Sequence, residues 1–116
     1  MLAWLRRYCL SFPYATETIQ WGEHLVFKVA GKVFAITRFE PSQNLLIKCA
    51  PEKFADRAER PGIIPAAYLA RAKWISIEND DSLTPAELKD VIRKSCELVW
   101  IKLPKKARTA LLAQEK

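Results

Sequence analysis

The alternation of hydrophobic and polar positions is clearest in residues 24–38. Two alternating runs, residues 25–29 and 33–38, flank the dipeptide Ala30-Gly31. A period of two is typical of a β-strand, and a two-residue break that contains glycine is typical of a tight turn between paired strands. The pattern therefore predicts a β-hairpin over residues 24–38. A third strand is predicted at Leu45–Cys49.

Hydrophobic positions spaced three to four residues apart predict helices elsewhere in the chain. This spacing occurs in residues 1–12 and 51–60, from Thr84 through Val99, and in a short stretch after Pro104. The helix that starts at the sequence Thr84-Pro85-Ala86-Glu87 has the strongest local signal. A threonine can cap a helix, proline suits the first helical position, and a glutamate three residues after the cap can complete a capping box. We expect this helix to be the main helix of the core.

The remaining segments complete the predicted order of elements. Residues 73–79 predict a further strand, residues 61–72 a long loop, and the polar runs 41–44 and 79–82 two turns. The order is then α-β-β-β-α-β-α, followed by a short C-terminal helix. Hairpin connections produce antiparallel sheets, so the expected fold is α+β, with helices packed on one face of an antiparallel sheet. Residues 1–116 are expected to form one domain.

The charge of the chain is concentrated near its end. The 116 residues carry a formal net charge of +6, from 19 Lys and Arg against 13 Asp and Glu. Residues 102–116 alone contain five basic residues and one acidic residue, a net charge of +4. A basic excess of this kind favours polyanionic partners, because it raises their concentration near the protein surface.

Two basic clusters are candidate nucleic-acid contacts. The first surrounds Pro104 and the second precedes the predicted strand at 73–79; together they comprise Lys102, Lys105, Lys106, Arg108, Arg71, Lys73 and Trp74. Clustered cations suit phosphates, and a tryptophan beside cations can stack on a base. Two alternatives remain open at this point. The cations near Pro104 could form a solvated helix end, and Trp74 could pack in the core, an ambiguity shared by the other tryptophans, Trp4, Trp21 and Trp100.

Catalytic and metal-binding chemistry finds no support in the residue pattern. His24 is the only histidine, and no cluster with metal-ligand spacing accompanies it. The adjacent acids Asp80 and Asp81 fall in a predicted turn, and no serine has the glycine context of a nucleophile elbow. The three cysteines are separated and lie in apolar stretches, which predicts small core residues in a reducing compartment: Cys9, Cys49 and Cys96. We therefore expect a cytoplasmic, non-catalytic protein without cofactor or metal, and no membrane span.

Several stretches, in order along the chain, resemble the MmcQ/YjbR-like family. They are Val26–Ala35, Leu46–Glu52, Pro61–Tyr68, Lys73-Trp74, Ser95–Val99 and Lys102–Arg108. The resemblance implies a frataxin-like (CyaY-like) α+β fold and a DNA-binding protein with a double-wing arrangement. The sequence departs from the family after Tyr68, where Leu69-Ala70-Arg71-Ala72 replaces the common His-Met-Asn-Lys, so a function of those polar residues would be altered here. Iron handling, which frataxins support with acids on the first helix, is not expected, because this helix carries Arg6 and Arg7 and no acid.

Two functional hypotheses follow. In the first, the protein, expected to be a monomer, binds nucleic acid, with DNA as the leading candidate, through the basic C-terminal cluster helped by Arg71 and Lys73. In the second, it is a protein- or small-ligand-binding module that uses the sheet face or the 61–72 loop, because long loops commonly carry specificity.

Overall fold

The computed structural model describes residues 2–20, 24–38, 44–66, 69–78 and 83–113. Within these ranges the helices are α1 (Leu2–Leu10), α2 (Pro51–Ala58), α3 (Pro85–Ile101) and α4 (Lys105–Ala113). The strands are β1 (Ala15–Gln20), β2 (His24–Val29), β3 (Lys32–Arg38), β4 (Leu45–Lys48), β5 (Ile63–Pro65) and β6 (Trp74–Ile77). A short 3₁₀ turn occupies Ala70–Ala72. The α+β class is thus confirmed.

All strands form one antiparallel sheet in the order β1-β2-β3-β4-β6-β5. The predicted hairpin is confirmed: β2 and β3 pair directly, and Ala30 and Gly31 connect them with φ angles of 51° and 84°. Two successive positive φ angles give the turn the twist that suits right-handed strands, and glycine adopts such angles without strain. The local sequence at this turn therefore sets the register of the centre of the sheet.

The predicted element order lacked two strands. β1 is mostly polar and lies at one edge of the sheet, where only part of each side chain is covered, so its hydrophobic signal is weak. β5 has three residues and lies at the opposite edge, within the segment 61–72 that was predicted to be a loop. It ends at Pro65, which an edge strand tolerates because its outer side needs no backbone donor. The observed order is α-β-β-β-β-α-β-β-α-α.

The main core lies between the sheet and helices α1, α2 and α3. Leu5 and Cys9 of α1, Phe54 of α2 and Ile92 of α3 all pack into one cluster with the inward side chains of the strands. The prediction of helices on one face is confirmed for these three helices. The predicted core role of the cysteines is also confirmed, because all three are buried free thiols.

A smaller cluster covers the opposite face of the sheet. Val26, Ile36 and Trp74 project there and are covered by Ala66, with Leu69 packed against them. The segment that follows β5 therefore occupies part of the sheet face that the second hypothesis requires for a ligand. Residues 41–43 of the predicted turn 41–44 and the whole predicted turn 79–82, with Asp80 and Asp81, lie outside the described residues, as do Trp21 and Tyr68.

The capping box at the start of α3 is confirmed. The Thr84 hydroxyl accepts a hydrogen bond from the Glu87 amide at 3.1 Å, and the Glu87 carboxylate accepts one from the Thr84 amide at 3.0 Å. The same carboxylate pairs with Arg60 at 2.6 Å. The start of α3 is thereby joined to the turn that ends α2. None of the helices in the described ranges has the length and hydropathy needed to cross a bilayer.

Candidate functional site

A buried serine bridges two strands in the middle of the sheet, at the point where their direct pairing ends. β3 and β4 pair from Thr37–Leu45 to Ala35–Ile47, and the next positions of this register are Phe34 and Lys48. These two are bridged by the hydroxyl of Ser95, which accepts from the Lys48 amide at 2.9 Å and donates to the Phe34 carbonyl at 2.7 Å. Ser95 is fully buried on α3. A helix side chain thus satisfies both backbone groups where the strands no longer bond to each other.

A cavity of about 410 Å³ opens beside this separation. Three lysines from three different elements line it: Lys32 at the start of β3, Lys48 at the end of β4 and Lys102 just after α3. The rest of the lining is apolar and includes Val33, Trp74, Val99, Leu103 and Pro104. Because β3 and β4 are antiparallel, the start of one and the end of the other lie at the same end of the sheet. The fold therefore concentrates positive charge in one hollow.

The three lysines have no acidic partner in the part of the chain that the structure describes. No described carboxylate forms an ion pair with Lys32, Lys48 or Lys102. Burial lowers the pKa of Lys48, and the adjacent Lys102 side chain lowers it further. Two ammonium groups that are close together and uncompensated favour an anion between them.

The positive charge continues from this cavity toward α2. Lys48 also borders a smaller hollow of about 30 Å³, together with Lys53 and Arg57 of α2 and Lys94 of α3. Lys94 is partly neutralised, since it pairs with Asp90 at 3.1 Å. We call the set of cations around the two hollows the basic surface; its members are Lys32, Lys48, Lys53, Arg57, Lys94 and Lys102.

The cluster predicted around residues 71–74 is divided by the fold. Trp74 lines the cavity but is only 8% exposed, in agreement with the core alternative, so it is not an open stacking platform. Lys73 directs its ammonium group over the ring of Phe54, 5.0 Å from the centroid. Arg71 is exposed on the 3₁₀ turn. Of these three residues, the structure places Trp74 in the wall of the cavity.

The cluster predicted around Pro104 is divided as well. Lys102 lies in the cavity, and Lys105 and Lys106 are exposed in the first turn of α4, directly after the lining residue Pro104. Arg108 is half-buried, and its Nε atom is buried without a hydrogen-bond partner among the described residues. The cluster therefore supplies one cation to the cavity and two to its approach.

Sequence reasoning missed Lys32 and Lys48. Each stands at the end of a strand, where a lysine is unremarkable on its own. A signal was nevertheless available, because the predicted antiparallel strands at 33–38 and 45–49 place both residues at the same end of the sheet. The presence of Lys102 beside these two lysines depends on the path of α3 across the sheet.

A second cavity, of about 420 Å³, lies between the α1–β1 connection and helices α3 and α4. Its walls are mainly apolar, and Tyr14 and Trp100 stack there with their ring centroids 5.3 Å apart. The Tyr14 hydroxyl donates to the Leu111 carbonyl at 3.0 Å, so it holds α4 in place. The described residues contain no group of three or more His, Cys, Asp or Glu side chains that could hold a metal ion.

A family model and a relative of known sequence both match most of this chain. Residues 10–98 match the family model of YjbR. The protein YbdF of Escherichia coli O157:H7 is 31% identical over 99 residues, which cover 81% of this chain and 80% of YbdF.

Solved structures show the same architecture. A Deinococcus radiodurans protein with a DUF419 domain superposes with a TM-score of 0.86 at 28% identity, over 96% of this chain and 87% of its own. A Pseudomonas syringae protein superposes with a TM-score of 0.70 at 19% identity, over 83% of this chain and 96% of its own, and this likeness concerns the fold alone. The family match spans most of the chain, including Lys32, Lys48 and Trp74 of the cavity wall, whereas Val99, Lys102, Leu103 and Pro104 lie beyond it. The chain belongs to the YjbR family.

Proposed function

We propose that this protein binds nucleic acid, with DNA as the leading candidate, by contacting phosphates through the basic surface and without catalysing a reaction. The observation that carries the proposal is the cavity in which Lys32, Lys48 and Lys102 converge without an acidic partner in the described ranges. Among the candidate residues identified from the sequence, Lys102 is the centre of the proposed interface. Lys105 and Lys106 lie at its approach.

Contacts of this kind have a recognisable energetic signature. Each phosphate that a lysine neutralises releases condensed counterions, so the logarithm of the binding constant falls linearly with the logarithm of the salt concentration, by about 0.9 per phosphate on duplex DNA. Phosphate contacts fix position and carry little sequence information. The expected binding is therefore strongly salt-dependent and weakly selective for sequence.

The frataxin-like (CyaY-like) arrangement, the double-wing mode of DNA binding, the monomeric state and the cytoplasmic location belong to the same proposal. Helices α1, α2 and α3 on one face of an antiparallel sheet support the first of these. The three buried free thiols support a reducing compartment.

Fluorescence anisotropy with a labelled duplex at two salt concentrations tests the proposal. The double variant Lys48→Met/Lys102→Met should weaken binding and reduce the magnitude of the salt slope by about 2, which corresponds to two lost phosphate contacts. The variant Lys105→Ala/Lys106→Ala distinguishes the contribution of the start of α4 to binding from that of the cavity. Lys89→Met is the matched control, because Lys89 lies on α3 over the ring of Tyr8 and outside both hollows. Absence of binding at low salt, or a double variant that binds like the control, would overturn the proposal.

The second candidate function is that of a small-ligand-binding module, and the cavity at Tyr14 and Trp100 favours it over a site on the sheet face. Its volume of about 420 Å³ lies within the range of small-molecule sites, and its walls are mostly apolar. A thermal-shift screen with aromatic and aliphatic compounds addresses it. Ligands that raise the melting temperature of the parent but not of Trp100→Ala would support this candidate, and a screen without any such compound would argue against it.

A further inference from the structure

We propose that the cavity at the separation of β3 and β4 is a pocket for a phosphate monoester, such as the terminal phosphate of a nucleic-acid strand. This inference rests on the proposed function and makes it more specific, because it names the phosphate that the cavity prefers, one at a strand end, while internal phosphates contact the basic surface as a whole.

The first reason is the balance of charge. Three lysines line the cavity, and no described carboxylate pairs with them. An internal phosphodiester carries one negative charge, whereas a phosphate monoester carries about 1.5 to 2 at neutral pH and has three acceptor oxygens. The proximity of Lys48 and Lys102 is unfavourable in the free protein, since burial and the Lys102 side chain together lower the pKa of Lys48. A monoester compensates both charges, and a diester leaves an excess.

The second reason is the composition of the walls. Beside the lysines, the lining includes the apolar side chains of Val33, Leu103 and Trp74. A volume of about 410 Å³ exceeds what a bare phosphate fills and falls within the range of small-molecule sites. The arrangement fits a charged phosphate at the lysines and the attached sugar, or its base, against the apolar side.

The third reason is that a buried hydroxyl fixes the backbone at one wall of the cavity. Ser95 bonds both the Lys48 amide and the Phe34 carbonyl, so the backbone that carries Lys48 is fixed at the position where β3 and β4 separate. A site on a sheet and a long helix is more rigid than one on a flexible loop, and rigid placement reduces the entropy lost on binding. A patch of unconstrained surface lysines would lack this feature.

Calorimetry with the full chain and matched single-stranded oligonucleotides tests the inference. The ligands are one short sequence with a 5′-phosphate, a 3′-phosphate or two hydroxyl ends, together with a nucleoside monophosphate and its nucleoside. We expect at least one of the phosphorylated strands to bind about tenfold more tightly than the strand with hydroxyl ends. The preference should disappear in Lys102→Met, a substitution at a lysine that is exposed and lies outside the core. It should persist in Lys89→Met. Lys48→Arg, which keeps the charge but changes the shape of the donor, should retain part of it.

Each outcome of this experiment has a distinct meaning. A preference for a phosphorylated end that Lys102→Met removes supports the pocket. Equal, salt-dependent binding of all three strands overturns the pocket and leaves the proposed nucleic-acid function standing. Binding of the nucleoside monophosphate, but of no strand, supports a monoester pocket whose source is a free nucleotide and overturns the assignment to a strand end. Absence of binding to every ligand overturns the pocket, and the duplex titration then decides the nucleic-acid function.

Discussion

Replacement of Ser95 by alanine should destabilise the protein by an amount that the structure allows us to bound. The hydroxyl is fully buried and makes two hydrogen bonds, one to the Lys48 amide and one to the Phe34 carbonyl. Alanine keeps the helix and nearly the same volume, so the substitution removes these two bonds and little else. It therefore measures the contribution of the bridge between β3 and β4.

The expected loss is about 2 kcal/mol. A buried backbone donor or acceptor left without a partner costs about 1–3 kcal/mol. Two groups are affected here, and the lower end of that range for each gives the expected total. For a chain of this size a loss of about 2 kcal/mol corresponds to a decrease in melting temperature of roughly 8 °C.

Urea unfolding of the parent and of Ser95→Ala gives the difference directly, and hydrogen exchange at the Lys48 amide reports whether the bridge has been lost. Ser11→Ala is the matched control, since the Ser11 hydroxyl also bonds a backbone carbonyl, that of Tyr8, but is exposed; it should change stability by less than about 0.5 kcal/mol. A loss below about 0.5 kcal/mol in Ser95→Ala, with unchanged protection of the Lys48 amide, would refute the bridging role.

Three further predictions concern the helix start and the thiols. Thr84→Ala should lower stability by about 1 kcal/mol in urea unfolding, because it removes the cap of α3. The pKa of Glu87 is lowered to about 2 by Arg60, so the stability that this carboxylate contributes should be lost as the pH falls from 4.5 toward 2; a titration by circular dichroism should show a smaller loss in Glu87→Gln. Burial raises the pKa of Cys96 to about 11, and all three cysteines are buried, so a thiol reagent at pH 8 should react only as fast as the protein opens.

The parts of the fold that could be predicted from the sequence are those whose signals are local. The turn at Ala30-Gly31 and the capping box at Thr84 each depend on a few adjacent residues, and both are present as predicted. The edge strands β1 and β5 could not be predicted in the same way. Their pairing is determined by the neighbouring strand, and their own side chains are largely exposed or few.

The candidate site shows the same division between local and long-range information. The charge run at the end of the chain identified Lys102, which the structure places in the cavity. Its partners in the cavity, Lys48 and Lys32, precede it in the chain by 54 and 70 positions. Only the pairing of strands brings them together. The role of Ser95 was hidden for another reason: a serine in the apolar stripe of a helix gives no indication of the backbone groups that it will meet.

A binding role for Lys48 predicts an unusual combination of effects in Lys48→Met. The substitution retains the aliphatic stem and removes an ammonium group that is partly buried beside Lys102, so the free protein should become more stable, by at most about 0.5 kcal/mol.

The pH dependence provides an independent check on the cause. Because the pKa of Lys48 is lower in the folded state than its ordinary value of 10.5, the unfolded chain binds more protons in the interval between the two values. Stability should therefore rise as the pH increases through that interval, and this rise should be absent in Lys48→Met. Lys105→Met, a change at an exposed lysine of α4, is the control and should alter neither quantity. Chemical denaturation at pH 7 and pH 10 measures the stability and its pH dependence, and the oligonucleotide titration measures affinity in the same variants.

A functional site commonly retains unfavourable contacts that its ligand relieves, so the stability of Lys48→Met should increase while its affinity falls. If Lys48→Met were instead less stable and bound phosphate as well as the parent, Lys48 would be a structural residue and the anion pocket would be wrong.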